Sequence, residues 1–318
     1  MNTENQNLLE TLNGRPLRFL IGGFPCTKFS IAQRTKNRET EPYQGEGWEL
    51  FQNYLIAKNK WNPDLFLAEN NQSISQNIKD EISRLLGVDY ISINSSLVSA
   101  QIRKRVYWTN ITGIEQPEDR KILLSNIIEN GIAERNKAFC LDASYYKGGN
   151  LKSYFSKHRR TQIFEKESNG RQAAIIENGM ITIDWEEYKT NLEDGIYYPR
   201  NLTVREAARL QTMPDDYMKS VSAYQGYKGL GNGWTAEVII HQLKYGLKDI
   251  PKDYPIEVLS MYDGIGTGRY CLDKMGFTNI TYKAYEIDKY AMTVANDNYP
   301  DIIQCGDAFQ VRNDDWKF

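Results

Sequence analysis

Two spacings of apolar residues alternate along most of this chain. The apolar run Leu17 to Ile21 gives way to Phe51, Tyr54, Leu55 and Lys58 at helical spacing, then to the short run Leu65-Phe66-Leu67-Ala68, then to a helical stretch from Ile78 to Leu86. Short unbroken runs mark strands buried on both faces, and the three-to-four spacing marks helices that cover them, so the pattern predicts an α/β sheet with parallel strands. The alternation returns near the other end: a strand Ile256 to Tyr262, the turn Asp263-Gly264-Ile265-Gly266-Thr267-Gly268, a strand Thr281 to Tyr285, a helix Lys289 to Asn298 and a strand Ile302 to Cys305. From 113 to 199 the rhythm breaks. Turn signals at Gly148-Gly149, Asn169-Gly170 and Glu193-Asp194-Gly195 separate short β-like runs, which predicts a smaller β and loop domain. Helices resume at Asn201, where Thr203 and Glu206 form a capping box ahead of Ala207, Ala208, Leu210 and Met213, and Lys248 to Pro255 reads as a linker. The expected organisation is therefore 1–114, 115–198 and 199–318.

Composition narrows the class. With 41% hydrophobic and 25% charged residues, the chain reads as a folded globular protein. No apolar run approaches the roughly 20 residues of a membrane helix, and Met1 to Asn13 lacks the pattern of a signal peptide, so a cytoplasmic location without membrane contact is expected. Cys26, Cys140, Cys271 and Cys305 lie far apart and the histidines are His158 and His241, which argues against a disulfide framework and against a metal site. A net charge of −2 gives no general pull toward nucleic acid, so such a partner needs a local basic surface. The candidate is 147–171, where Lys147, Lys152, Lys157, Arg159, Arg160, Lys166 and Arg171 outnumber Glu165 and Glu167 and are interleaved with aromatic residues. A plain solvated face is the alternative.

Candidate chemistry gathers where the apolar runs end. In Gly22-Gly23-Phe24-Pro25-Cys26 the glycines permit close backbone approach to a ligand, Pro25 fixes φ, and Cys26 stands at the carboxyl end of a strand, where α/β sheets bind ligands. Buried cysteine is also common inert filler, so these residues alone leave both readings open. The segment 255–311 has a nucleotide-binding βαβ layout. Glu286, about 20 residues past the glycines, suits ribose hydroxyls, and Asp307 at the next strand end suits an adenine amino group. The alternative is that the glycines turn the chain while Glu286 and Asp307 cap helices. Arg103 and Arg105, two apart, are expected on one side of a strand.

Together these segments resemble the DNA (cytosine-5)-methyltransferases over most of the chain outside 115–198. Gly22 to Cys26 is similar to the family's Pro-Cys nucleophile loop, Ala68-Glu69-Asn70-Asn71 to its Glu-Asn-Val strand end, Gln101-Ile102-Arg103-Lys104-Arg105 to its Gln-x-Arg-x-Arg motif, Arg200 to Gln211 to the long motif that supports the recognition domain, and Gly229-Leu230-Gly231-Asn232-Gly233-Trp234-Thr235 to its late cofactor motif. Val98-Ser99-Ala100, Trp108 and Trp234 resemble in particular the animal de novo DNA methyltransferases. Two departures stand out. Asn71 replaces the usual Val, and the cofactor segment comes last where the family has it first, which looks like a circular permutation.

The resemblance implies a Rossmann-like, S-adenosylmethionine-dependent methyltransferase sheet, circularly permuted, with a smaller target-recognition domain. It implies methyl transfer to carbon 5 of a flipped cytosine through a covalent Cys26 adduct, S-adenosyl-L-homocysteine being the other product. Glu69 is then the acid toward N3, with Arg103 and Arg105 beside the base. The implied cofactor residues are Pro25, Asn232, Trp234, Tyr262, Asp263, Gly264, Ile265, Gly266, Thr267, Glu286, Ile287, Asp307 and Ala308. Lys28, Ser30, Arg34, Lys152, Lys157, Arg159 and Arg160 are expected to meet double-stranded DNA. A monomer of prokaryotic or phage type is expected, with a cognate restriction enzyme as a partner the resemblance allows. Two alternatives stay open: a tRNA cytosine-5 methyltransferase, and an inactive accessory subunit.

Overall fold

A computed structural model describes residues 8–25, 28–29, 38–168 and 170–318. Its strands are β1 (Leu17–Gly22), β2 (Leu65–Asn71), β3 (Tyr90–Asn94), β4 (Lys104–Thr109), β5 (Gln162–Glu165), β6 (Ala174–Glu177), β7 (Met180–Ile183), β8 (Glu186–Lys189), β9 (Gly195–Asn201), β10 (Ile256–Met261), β11 (Ile280–Tyr285) and β12 (Ile303–Gly306). The chain divides into two compact units. One comprises 1–93, 104–116 and 238–318, the other 94–103 and 117–237.

The first unit holds a seven-stranded sheet in the order β12-β11-β10-β1-β2-β4-β3. β1 runs parallel to both β10 and β2, β10 to β11 and β11 to β12, while β4 is antiparallel to β2. The final βαβ segment therefore completes the sheet that begins with β1. Mostly apolar sequence is what such central strands need: Leu17, Phe19, Leu20 and Ile21 of β1 and Val258, Leu259 and Met261 of β10 are buried, while Arg18 and Glu257 near the strand starts remain partly exposed. Helices Gly45–Trp61 and Gln76–Leu86 contribute Trp48, Phe51, Tyr54, Ile78 and Ile82 to one apolar cluster with Phe24 and Trp108. Gly45 and Gly47 open the first of these helices, with the Phe29 ring where a Cβ on Gly47 would stand. Among the described residues no helix is long and apolar enough to cross a membrane.

The second unit carries a five-stranded sheet in the order β5-β9-β6-β7-β8, antiparallel throughout. Its core packs Tyr154, Phe155, Phe164, Ile176, Ile181 and Tyr197. Between β7 and β8 the pair Ile183 and Glu186 leaves a two-residue turn, Asp184-Trp185, with φ of +51° and +69°. That is the geometry of a type I′ turn, which favours glycine at its second position, yet Trp185 occupies it almost fully exposed. The capping box forms as expected, with Thr203 and Glu206 opening helix Val204–Leu210.

The compact units differ from the sequence-based boundaries in one respect: 94–103 and 199–237 go with the five-stranded sheet. A buried polar network is the reason. The Gln101 amide donates to Leu210 O (2.7 Å) and Gln211 Oε1 (2.9 Å), Thr235 donates to Gln211 Oε1 (2.9 Å), and Gln211 donates to Leu230 O (2.6 Å). Buried amides must find such partners, so the three motifs pack as one piece.

The β1–β10 register has one tight point. A Cβ added to Gly22 would stand 2.5 Å from Met261 O. Gly22→Ala is expected to lower stability by about 1–3 kcal/mol, as overpacking does, seen as a lower urea midpoint at unchanged m-value. An unaltered midpoint would contradict the close strand contact.

Candidate active site

The sheet register brings the candidate residues to one edge. Gly22 lies opposite Ala68 on one side and Met261 on the other, Met261 opposite Tyr285, and Tyr285 opposite Gly306. The next residue along each parallel strand is Gly23, Glu69, Tyr262, Glu286 and Asp307. Two halves result: Glu69 beside the Gly23-Phe24-Pro25 turn, and the carboxylates of three successive strand ends. Cys26, Ser30 and Arg34 lie outside the described residues.

In the first half, Arg105 stands opposite Asn71 and one diagonal step from Glu69, on the same face of the β2–β4 pair. Its Nε lies 2.9 Å from Glu69 Oε1, and both side chains are about 10% exposed. Desolvated charges are costly unless paired, so this ion pair fixes the carboxylate in place. The Asn70 amide donates to Phe24 O at 3.0 Å, tying the turn before Pro25 to β2. Sequence reasoning quoted Asn70 but assigned it no task. Asn71, the departure from the usual Val, accepts from Ser73 N and begins the following turn.

Arg103 corrects an expectation. Regular alternation begins only at Lys104, so the two-residue period does not reach back to Arg103. Its guanidinium is buried and donates to Leu141 O (2.8 Å), Gly231 O (3.1 Å) and Gly233 O (2.7 Å), all in the second unit. Arg105, inside β4, pairs instead with Glu69.

In the second half, Asp263 Oδ1 accepts from the hydroxyls of Ser260 (2.6 Å) and Tyr282 (2.7 Å). Asp263 Oδ2 is buried with no hydrogen-bond partner. Burial pushes this carboxyl up to about 6, against the two hydroxyl donors. Gly268 must lack a Cβ, which would stand 2.5 Å from the Tyr282 hydroxyl. Glu286 Oε2 accepts from Gly264 N (2.9 Å), while Oε1 takes Ile287 N and Asp288 N, both at 2.8 Å. Oε2 thus keeps a lone pair for a hydroxyl donor. Asp307 accepts from Phe309 N at 2.9 Å, Ile287 is 74% exposed beside Glu286, and Phe309 is partly exposed. An unpartnered carboxylate oxygen, left-handed Gly264 and Gly266, and an acceptor carboxylate fit a ligand with a cationic group and vicinal hydroxyls.

The remaining candidates take various positions. The Tyr262 hydroxyl donates to Leu50 O (2.8 Å), turning that side chain into helix Gly45–Trp61. Ile265 and Ala308 are buried, Thr267 Oγ1 is buried without a partner, Pro25 is half-buried, and Asn232 and Trp234 belong to the second unit. Of the basic residues, Lys28 pairs with Glu46 (3.1 Å), Lys152 with Asp184 (2.8 Å) and Arg159 with Asp142 (3.8 Å), Arg160 donates to Gly148 O (2.8 Å), and Lys157 is exposed. The 147–171 segment is therefore less positive than its sequence reads.

The family of C-5 cytosine-specific DNA methylases matches residues 3–85 and 77–244, well over half of the chain. The chain belongs to this family. Among curated relatives, the Type II methyltransferase M1.ScrFI of Lactococcus lactis subsp. cremoris is 26% identical over 248 residues, 67% of this chain and 58% of that protein. M.FnuDI of Fusobacterium nucleatum is 27% identical over 276 residues, 73% and 78%. M.BspRI of Lysinibacillus sphaericus is 27% identical over 222 residues, 62% and 50%. This methylase chain thus spans 50–78% of the length of these three relatives. A crystal structure of a Spodoptera frugiperda DNMT2 triple mutant aligns with a TM-score of 0.41 and 16% identity, covering 77% of this chain and 83% of that one.

Because the folded Asp263 carboxyl titrates at about 6 against an ordinary value of 3.8, its stabilising contribution is present below about pH 4 and is lost as pH rises through about 6. Asp263→Asn retains an acceptor for Ser260 and Tyr282. Without ligand, the variant is expected to gain stability over the wild type between about pH 4 and pH 7 and then to hold a constant difference. Thermal unfolding across that range checks this, and parallel curves would refute a buried, raised Asp263.

Proposed function

We propose that this methylase-family chain transfers a methyl group to carbon 5 of cytosine in DNA. The observation that carries the reading is the shared carboxyl edge: the Glu69–Arg105 pair adjoins the turn leading to Cys26, and the Asp263, Glu286 and Asp307 carboxylates follow the adjacent strands. The relatives named as Type II methyltransferases support a DNA substrate over tRNA.

Cys26 adds its thiolate to carbon 6 of the cytosine ring, which makes carbon 5 nucleophilic. Glu69 holds a proton at N3 as charge develops there, and Arg105 keeps its carboxyl aimed. Arg103 acts as a positioning residue through the backbone of 141 and 231–233. S-adenosylmethionine, when bound, supplies the electrophilic methyl group, and loss of the carbon 5 proton then expels the Cys26 thiolate and restores the ring. Asp263 Oδ2 would hold its ammonium group, Glu286 its ribose hydroxyls and Asp307 its adenine amino group, with Pro25, Gly264 to Thr267, Ile287 and Ala308 in the same unit. The target base is unreachable in the stack and must be flipped out, with Lys28, Ser30, Arg34, Lys157 and Arg159 on the phosphates and residues 115–198 reading sequence. The circular permutation belongs to this proposal too. It is supported by the family match over 3–244 and by β10 pairing beside β1.

Labelled methyl transfer to duplex DNA, with tRNA in parallel, tests the function; incorporation into tRNA alone would overturn it. Cys26→Ser is expected to abolish transfer while cofactor binding persists, and Glu69→Gln to slow single turnover by about two to four orders of magnitude. A near-normal rate in either variant removes that residue from the chemistry. Glu286→Ala should weaken S-adenosylmethionine binding by about 1.5–3 kcal/mol, measured calorimetrically.

A further inference from the structure

One concavity lies wholly within the second unit and takes no part in the proposed chemistry. It is a half-open hollow of about 650 Å³, lined among others by Arg135, Phe139, Tyr188, His158, Glu186 and Lys189. That volume falls within the roughly 300–1,000 Å³ typical of small-ligand sites. Its composition is unusual for an incidental surface hollow. The Arg135 guanidinium carbon sits over the face of the Phe139 ring, 3.6 Å from its centroid. The His158 ring lies 6.0 Å from Phe139 and the Tyr154 ring 5.5 Å from it, and Tyr188 lies 6.2 Å from Phe155. The walls are held in place: the Tyr154 hydroxyl donates to Glu134 Oε2 at 2.7 Å, Asn191 N donates to Glu134 Oε1 at 3.2 Å, and the Tyr188 hydroxyl donates to Glu186.

From this arrangement we propose that the concavity is a nucleotide subsite, taking one unstacked nucleotide with its base on the Arg135–Phe139 platform and its phosphate toward Lys189 and His158. Flat guanidinium and aromatic surfaces are what unstacked bases stack on, and every base has a π-face to offer. The Glu186 carboxylate and the Asn191 and Ser156 side chains in the lining supply acceptors and donors for a base edge. A quaternary ammonium guest also favours aromatic walls; Arg135 and Lys189 are balanced by Glu134 and Glu186 in the lining, and it is the flat guanidinium stacked on the Phe139 ring that favours a planar base. The inference rests on the DNA-methylation reading only for the source of such a nucleotide, a strand opened in the second unit's substrate.

The test titrates the full chain with deoxynucleoside 5′-monophosphates, with a short single-stranded oligodeoxynucleotide and with a fully paired duplex, followed by calorimetry. Saturable binding of the monophosphates is expected, weakened about ten-fold or more by Phe139→Ala and also weakened by Lys189→Glu, an exposed substitution that spares the core. Thermal unfolding checks that Phe139→Ala remains folded. Tighter binding of the oligonucleotide than of the monophosphate identifies a strand as the source, and the reverse identifies the free nucleotide. The proposal fails if neither probe saturates, if binding is the same in both variants, or if a trimethyl-lysine peptide binds and nucleotides do not. Nucleotide binding that survives without any methyl transfer to DNA would uphold the subsite while removing the DNA-methylation reading.

Discussion

Everything at the candidate active site hangs on the parallel pairing of β1 with β10, two strands separated by well over 200 residues of chain. Side chains alternate across a strand, so a slip of one residue would send the core face outward and move the turn before Cys26 away from Asp263. The contact between Gly22 and the Met261 carbonyl leaves no room for a side chain, and that closeness pins the register. From it the rows to Ala68, Tyr285 and Gly306 follow, and with them the carboxylates one residue further on.

The two halves of this edge solve different electrostatic problems. Glu69 is compensated by a guanidinium within its own unit, which spends the arginine on orientation. Asp263 has two hydroxyl donors on one oxygen and none on the other, so its burial is incompletely compensated until a ligand arrives. A site that carries such a debt is poised for a cationic group and less stable without one. Glu286, by contrast, is filled mainly by backbone N–H groups of its own turn and of Gly264, which ties the ends of β10 and β11 together.

How much of this was legible beforehand depended on range. The ends of β10, β11 and β12 were legible to within about a residue because their apolar runs stop at glycine or at an acidic turn, which put Glu286 and Asp307 just past their strands, whereas β2 runs three residues beyond the apolar Leu65 to Ala68 and takes Glu69 into the strand. Interactions across long separations were not. Nothing local foretells that Asn70 reaches Phe24 O, that Tyr282 holds Asp263, or that Asp184 and Asp142 take up Lys152 and Arg159. Arg103 was misread because alternation was assumed to extend beyond the strand it flanks. Gln101, Gln211 and Thr235 were visible as motif letters, yet their task of satisfying one another in a dry interior appears only once the chain is folded.

That network has a bearing on recombination. The second unit is assembled from two stretches, 94–103 and 117–237, with β4 between them serving the first. A cassette exchanged between relatives as 117–237 alone would leave the carbonyls of Leu141, Gly231 and Gly233, met here by Arg103, and that of Leu210, met here by Gln101, to the arginine and glutamine of the recipient's own Gln-x-Arg-x-Arg stretch. Buried acceptors left unmet weigh heavily against folding. Interchange of 117–237 between family members therefore succeeds only where the recipient's glutamine and arginine reach these same carbonyls, and otherwise needs 94–103 carried along from the same parent.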